Sequence, residues 1–359
     1  MGLIKNSNLR VLSIGGLSAY GKSNTCLHRH NAIKKNANTV HEVDTANTKV
    51  SLLYKITNKL FNLGFPINLP DSKKSNKKIS RLIQENKYDI VWIDKGLTIK
   101  KKTLKLIKQL QPNCKIVSFS PDNMMMRFNQ SQNFLNCRFL YDYTFTTKSF
   151  IVQDLKDLGF KNVFFINKTY HEEFHYPREL TLIEEKELGG DVGFIGAWEE
   201  ERCHSILYLV DNGIKVKVFG NKKWKEYIDY HPNLEIREGL FSDNYPKALR
   251  AFKISLCFLR KMNNDQQTAR TMEIPACGGF MMAERTKEHQ ILFKEGKEAE
   301  YFSTNEELLN KCNYYLKKEN KEIRLAIINS GIKRCEKSGY SNEKTIAKMM
   351  KIVLGKNEK

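Results

Sequence analysis

Short apolar runs of strand length alternate along this chain with longer stretches whose apolar residues recur at helical spacing. The first kind occupies residues 9–14 (LRVLSI), 39–43 (TVHEV), 89–93 (DIVWI), 115–119 (KIVSF), 143–146 and 163–166. The second kind occupies 24–35, 51–63, 79–86, 103–110 and 149–158, with a lysine-rich loop at 72–78. The pattern breaks at 176–190 (YPRELTLIEEKELGG), which is polar, acidic and bounded by Pro and Gly, and reads as a linker and hinge. It then restarts. Strands are predicted at 191–195, 215–219, 234–236, 254–258 and 280–283. Helices are predicted at 200–212, 245–251, 268–277, 305–317, 321–337 and 342–353. Near-continuous apolar strands alternating with helices imply a parallel sheet covered on both faces. The expected fold class is therefore α/β, with two doubly wound domains facing a cleft where a ligand would sit. The expected boundaries are 1–176, a linker at 177–190, 191–340, and a final helical segment at 341–359 that packs back on the first domain.

Charge divides the chain in the same way. The 359 residues carry 60 Lys+Arg against 40 Asp+Glu, formally +20. Residues 1–150 hold 25 basic and 8 acidic residues, whereas 151–359 hold 35 and 32. The excess belongs to the first half and points to an anionic partner there. Nucleic acid is disfavoured: the lysine runs at 73–78 and 100–108 lack the interleaved aromatics on which bases stack. An anionic acceptor or the anionic inner face of a membrane fits better. No run reaches the ~18 apolar residues of a membrane helix. No leader pattern follows Met1, and Asn6 breaks the myristoylation spacing from Gly2. Eight scattered cysteines without a C-x-x-C pair suit a reducing cytoplasm rather than disulfides or zinc.

Candidate chemistry begins at Gly16-Leu-Ser-Ala-Tyr-Gly21-Lys22-Ser23, which satisfies G-x-x-x-x-G-K-[ST] after a strand and before a helix. Asp94, ending an apolar strand, would supply a magnesium-binding acid in a P-loop ATPase or kinase. The competing reading is a tight β–α turn whose amides attract phosphate without Walker chemistry. No Asp-x-Asp, G-x-S-x-G elbow or His/Cys cluster at ligand spacing occurs, so no metal site is expected. His171 and His175, four apart in an acidic stretch, read as a solvated turn.

The richest segment is Asp265-Gln-Gln-Thr268-Ala-Arg270-Thr271-Met-Glu273-Ile-Pro-Ala-Cys277-Gly278-Gly279. Thr268 and Thr271 open a helix, where amides and hydroxyls hold a diphosphate, and Arg270 adds a charge-assisted bond. Asp265 and Glu273 are placed to accept hydrogen bonds from the vicinal diols of a sugar and a ribose. The competing reading makes Asp265 a helix cap and Arg270–Glu273 a buried ion pair. Phe293-Lys-Glu-Gly-Lys-Glu and Glu306-Glu307-Leu308 follow.

Together with Val192-Gly-Phe-Ile-Gly196, Glu201-Arg202 and Val218-Phe-Gly220, these motifs resemble the C-terminal domain of the CgeB-like (spore-maturation-protein-like) glycosyltransferases, within the group-one GT-B superfamily. The resemblance covers roughly 190–340. It implies a GT-B-like pair of Rossmann-like domains with a nucleotide-diphosphate-sugar donor on the second. Glu273 would then lie on the ribose, Asp265 toward the sugar, and Arg202 and Arg270 on the diphosphate. Gly196 would allow close backbone approach. Gly15 and Gly16 would face the donor phosphates from the first domain. Asp122, Asp94 and Lys95, at strand ends of that domain, are the catalytic candidates, with Asp122 as base or acceptor-orienting group. The implied activity is metal-independent, retaining sugar transfer to a glycan, lipid-linked or protein acceptor, in the cytoplasm or peripherally at the inner face of the membrane. Two alternatives stay open at this stage, the P-loop enzyme and a non-catalytic nucleotide- or glycan-binding protein on the same scaffold.

Overall fold

In the computed structural model, which describes residues 6–19, 21–46 and 51–355, the strands form two six-stranded, wholly parallel sheets. The first contains β1 (Asn6–Gly15), β2 (Ala37–Asp44), β3 (Ile90–Asp94), β4 (Lys115–Ser120), β5 (Tyr143–Thr146) and β6 (Val163–Phe165) in the order β2-β1-β3-β4-β5-β6. The second contains β7 (Gly190–Gly196), β8 (Val216–Gly220), β9 (Leu234–Glu238), β10 (Phe252–Cys257), β11 (Met281–Glu284) and β12 (Glu300–Phe302) in the order β12-β11-β10-β7-β8-β9. Strand order reverses between β1 and β3 in one sheet and between β7 and β10 in the other. In such folds the carboxyl ends of the strands at the reversal are where ligands bind.

Both faces of each sheet are covered, which is why the strands are apolar throughout. On β1, Leu12 and Ile14 enter one core with Val91, Ile93 and Ile116, and Val11 enters the other with Ile90, Trp92 and Val117. The doubly wound α/β reading of the sequence is correct for both halves.

The chain separates into one unit running to Asn167 and resuming at Asn342, and another comprising Lys168–Ser341. Residues 177–190 thus lie inside the second unit. They carry the helix Leu182–Leu188, capped reciprocally by the Thr181 hydroxyl and the Glu184 carboxylate. The acidic composition that suggested a linker is that of a helix's first turn. Likewise part of the expected 72–78 loop is helix Ser75–Glu85. Asp71 accepts from the Ser75 and Asn76 amides, both at 2.8 Å, so the helix starts despite its lysines. Helix Gln132–Cys137, capped by Ser131, has no counterpart in the sequence reading. The final helix, Asn342–Val353, packs on helix Thr25–Asn36 in the first unit.

Candidate active site

At the reversal point of the second sheet, β7 ends at Gly196 and β10 leads through a loop into helix Ala269–Ala276. A Cβ on Gly196 would stand 2.6 Å from the Phe194 ring and 3.3 Å from Nη2 of Arg270. Only a glycine lets the backbone share this space with the guanidinium. Arg270 is the second residue of the helix, where the macrodipole favours anions. Its Nε is buried and has no hydrogen-bond partner, and its guanidinium lies 5.9 Å from the Phe194 ring centre.

One turn on, Glu273 is buried and held from two sides. Its Oε2 accepts from the Tyr245 hydroxyl at 2.5 Å, and Nε2 of His175 lies 3.6 Å from its Oε1. Nδ1 of His175 accepts from the His171 amide at 3.0 Å, which leaves the ring proton on Nε2, toward Glu273. Burial, with His171 and Arg178 nearby, brings the His175 pKa down to about 3, so the ring is neutral at pH 7. Burial, reinforced by Glu273, raises Tyr245 well above the usual phenol range and keeps it a donor. The Arg270–Glu273 ion pair of the competing reading does not form. His171 and His175 are buried rather than in a solvated turn.

Other candidates are engaged in the fold. Thr268, not Asp265, is the helix cap. The Thr271 hydroxyl accepts from the Thr268 amide at 3.0 Å and lies 2.8 Å from Nε2 of His289. Because Nδ1 of His289 donates to the Glu284 carbonyl at 2.7 Å, Thr271 is the donor in that contact. Thr271 is fully buried, with its hydroxyl engaged by Thr268 and His289. Burial lowers the His289 pKa to about 4. Arg202 donates to the Leu259 and Ala197 carbonyls and pairs with Glu199 at 3.4 Å, tying β7 to β10. Asp265 is buried just before the helix, after Asn264 in a left-handed conformation. Glu295 and Glu307, from the two downstream motifs, hold Arg285 and Lys311 in one ion cluster. That cluster is a structural device.

In the first unit the Gly16–Ser23 match lies between β1 and helix Thr25–Asn36. The Leu17 and Ser18 amides donate to Asp44 Oδ1 at 2.9 and 3.4 Å, which ties the start of the segment to the end of β2. Helix Thr25–Asn36 begins after Lys22 and Ser23, with Asn24 as cap, instead of containing them. Tyr20, within the G-x-x-x-x-G-K-S match, lies outside the described residues, as do Met1 to Lys5, where no leader or myristoylation pattern is read. Gly15 is required by space, since a Cβ there would meet Cys26 Sγ at 2.5 Å. Gly16 has room for one.

Asp94 at the end of β3 pairs with Arg29 at 2.6 Å, both buried, with Arg29 over the Phe119 ring. Lys95 follows with φ +65° and Gly96 with φ +50°, two successive left-handed residues. For Lys95 that conformation costs about 1–2 kcal/mol. The turn brings its ammonium onto Asp122. Asp94, Lys95 and Gly96, with Gly16, Arg29 and Pro121, line a cavity of about 600 Å³, completed by Tyr54, Asn58 and Phe61. Tyr245, Arg29 and Asp44 were not singled out in the sequence, because none belongs to a local motif, and His175 reads there only as part of a solvated turn. Each acts on a residue distant along the chain.

The family description "glycosyl transferase-like" matches residues 202–351. A search of curated proteins finds no significant relative. Several solved structures share the fold. HepE of Anabaena, solved with UDP-glucose, has a TM-score of 0.64 at 11% identity and covers 98% of this chain and 100% of its own. Sucrose-phosphate synthase of Thermosynechococcus elongatus has a TM-score of 0.61 at 9% identity, covering 97% and 98%. A glycosyltransferase of Rickettsia africae has a TM-score of 0.57 at 12% identity, again covering 97% and 98%. The chain thus has the GT-B architecture of two Rossmann-like domains, and its second half is similar to the glycosyl transferase-like family.

Proposed function

We propose that this protein transfers a sugar from a nucleotide-diphosphate donor to a hydroxyl acceptor. The observation that carries the reading is Arg270, a guanidinium with a buried, unpartnered Nε at a helix N-terminus, beside a glycine and one turn before buried Glu273. Arg270 and the helix amides would bind the diphosphate. Glu273, fixed by Tyr245 and His175, would accept from the ribose hydroxyls, since a carboxylate has about four acceptor positions. In the reaction the acceptor oxygen bonds to the anomeric carbon, the C–O bond to the diphosphate breaks, and the diphosphate leaves with the electron pair. Arg270 neutralises that developing charge, the work a metal does in other transferases, which supports metal-independent transfer. UDP-glucose bound to HepE supports a uridine donor. The motif resemblance supports a CgeB-like, retaining enzyme acting in the cytoplasm on polysaccharide or lipid-linked acceptors.

The first-unit cavity would take the acceptor, with Asp122 receiving the hydroxyl proton and its partner Lys95 holding it in place. The Arg29–Asp94 pair would form a polar wall. The P-loop alternative is not favoured, because the Leu17 and Ser18 amides are engaged by Asp44 and helix Thr25–Asn36 starts only after Lys22 and Ser23.

The test is a thermal-shift and calorimetric screen of UDP-, GDP-, ADP- and CMP-sugars, with ATP·Mg²⁺ as competitor, followed by assay of nucleotide release. We expect one nucleotide sugar to bind. Losing a charged hydrogen bond costs about 1.5–3 kcal/mol, so Arg270→Ala and Glu273→Gln should each weaken binding roughly tenfold or more. Stabilisation by ATP·Mg²⁺ alone overturns the reading.

A further inference from the structure

Helix Leu52–Asn62 of the first unit has an apolar stripe that stands exposed among the described residues. Leu52, Leu53, Ile56 and Leu63 are 52–73% exposed, and Leu60 and Phe65 extend the stripe. Leu52, Ile56, Leu60 and Leu63 follow i, i+4, i+8 and i+11, one side of a helix. The opposite side is buried or half-buried: Tyr54, Asn58 and Phe61 line the 600 Å³ cavity. Between the two sides run Lys55 and Lys59, also i, i+4. Both are exposed, and neither meets a carboxylate among the described residues. With Tyr54, Asn58, Asn62 and Leu63 they line a shallow groove of about 370 Å³. Arg127, also exposed, lies beside Gly64 at the helix end. The sequence from 45 to 70 contains no acidic residue.

We propose that this helix is an interfacial anchor that lays its leucine stripe into an anionic phospholipid bilayer, with the lysine groove on lipid phosphates. An apolar side bordered by cations is the pattern of a helix lying in the membrane plane. At 11 residues it is too short to span, and among the described residues no helix is long and apolar enough to cross a membrane. Charge complementarity selects the lipid. The charged residues of 45–70 are all lysines, in the half of the chain that holds the excess of basic residues, so an anionic surface is attracted before the leucines insert. A second copy of this chain would bring the same lysines against each other. The inference deepens the transfer reading and rests on it in one respect. Because the helix forms a wall of the cavity assigned to the acceptor, it would place that cavity next to the membrane and favour an acceptor with a lipid tail.

Binding is measured without turnover. The full chain is sedimented with phosphatidylcholine vesicles, and with the same vesicles containing phosphatidylglycerol, at low and high salt. The inference expects binding to the anionic vesicles that salt weakens, and little to the neutral ones. The double variants Leu53→Asp/Ile56→Asp and Lys55→Glu/Lys59→Glu should each lose about tenfold or more in vesicle affinity. Their nucleotide-sugar binding should be unchanged, and slow hydrogen exchange at β1 and at helix Thr25–Asn36 verifies that the first unit is folded. Leu53→Ser/Ile56→Ser, a milder change, serves if the aspartates perturb the helix. Absence of binding to any vesicle, equal binding to neutral and anionic vesicles, or full binding by the variants overturns the inference. So does a concentration-dependent dimer that the leucine variants disperse. A chain that releases UDP but ignores vesicles refutes the anchor and leaves the transfer reading standing. One that binds vesicles but no nucleotide sugar does the reverse.

Discussion

A carboxylate as buried as Glu273 is costly to keep charged without donors, and the structure supplies them from two distant segments. Tyr245 comes from the helix before β10, and His175 from the segment entering the second unit. His175→Ala should therefore weaken nucleotide-sugar binding several-fold, with His175→Gln restoring part of it. Equal affinities for both variants and the native chain would separate His175 from the site. The two neutral imidazoles also predict a pH dependence. His175 and His289 titrate near 3 and 4 in the folded chain, against about 6.5 when unfolded. Above pH 6.5 their contribution is complete. As pH falls below 6.5 the unfolded chain takes up protons that the folded chain refuses, so stability declines toward the folded values. By pH 5 the loss is roughly 1–2 kcal/mol per imidazole. Melting temperatures at pH 7, 6 and 5 should fall together with pH, above the range where carboxylates titrate. His289→Gln should remove part of that slope. Glu273 and Arg270 were legible in the sequence because they share a short motif. His175 was not, because a histidine in an irregular segment carries no period, and its role comes from where the chain leads it.

The elements themselves were legible where burial is two-sided. β1, β3, β4 and β10 are apolar on both faces, and their sequence runs show it directly. The misread stretches are those whose structure depends on capping. Residues 177–190 and 72–78 look like polar loops, yet Thr181 with Glu184, and Asp71 with Ser75 and Asn76, start helices within them. The G-x-x-x-x-G-K-S match shows the converse, a motif without its element. Asn24 both caps helix Thr25–Asn36 through Oδ1 and holds the Gly16 and Leu17 carbonyls through Nδ2. Asn24→Ala should cost about 1–2 kcal/mol, read as a lower melting temperature. Lys22→Ala should leave nucleotide binding within twofold of native. In a Walker loop the order is reversed, with the lysine indispensable to the nucleotide.

At the scale of the whole molecule, the sequence places the excess charge in the first 150 residues, and the structure places the last helix in that same unit. Asn342–Val353 is not an appendage. Ile346, Met349, Met350 and Val353 are buried in one cluster with Leu9, Val11, Ala32 and Ile33. Glu343 pairs with Lys35 at 3.0 Å, and its carbonyl accepts from Asn36 at 3.2 Å. Fully burying an aliphatic side chain contributes about 1.5–3 kcal/mol, so four of them approach the ~5–15 kcal/mol that holds a whole domain folded. A chain truncated after Ser341 should therefore lose the first unit selectively. Amides of β1 and of helix Thr25–Asn36 should exchange hydrogen orders of magnitude faster than in the full chain. Those of β7 and β10, whose cores contain none of the removed residues, should keep their protection. The same truncated chain should still bind a nucleotide sugar through Arg270 and Glu273 but show no transfer. Slow exchange at β1 after truncation would mean that the first unit is complete without its last helix.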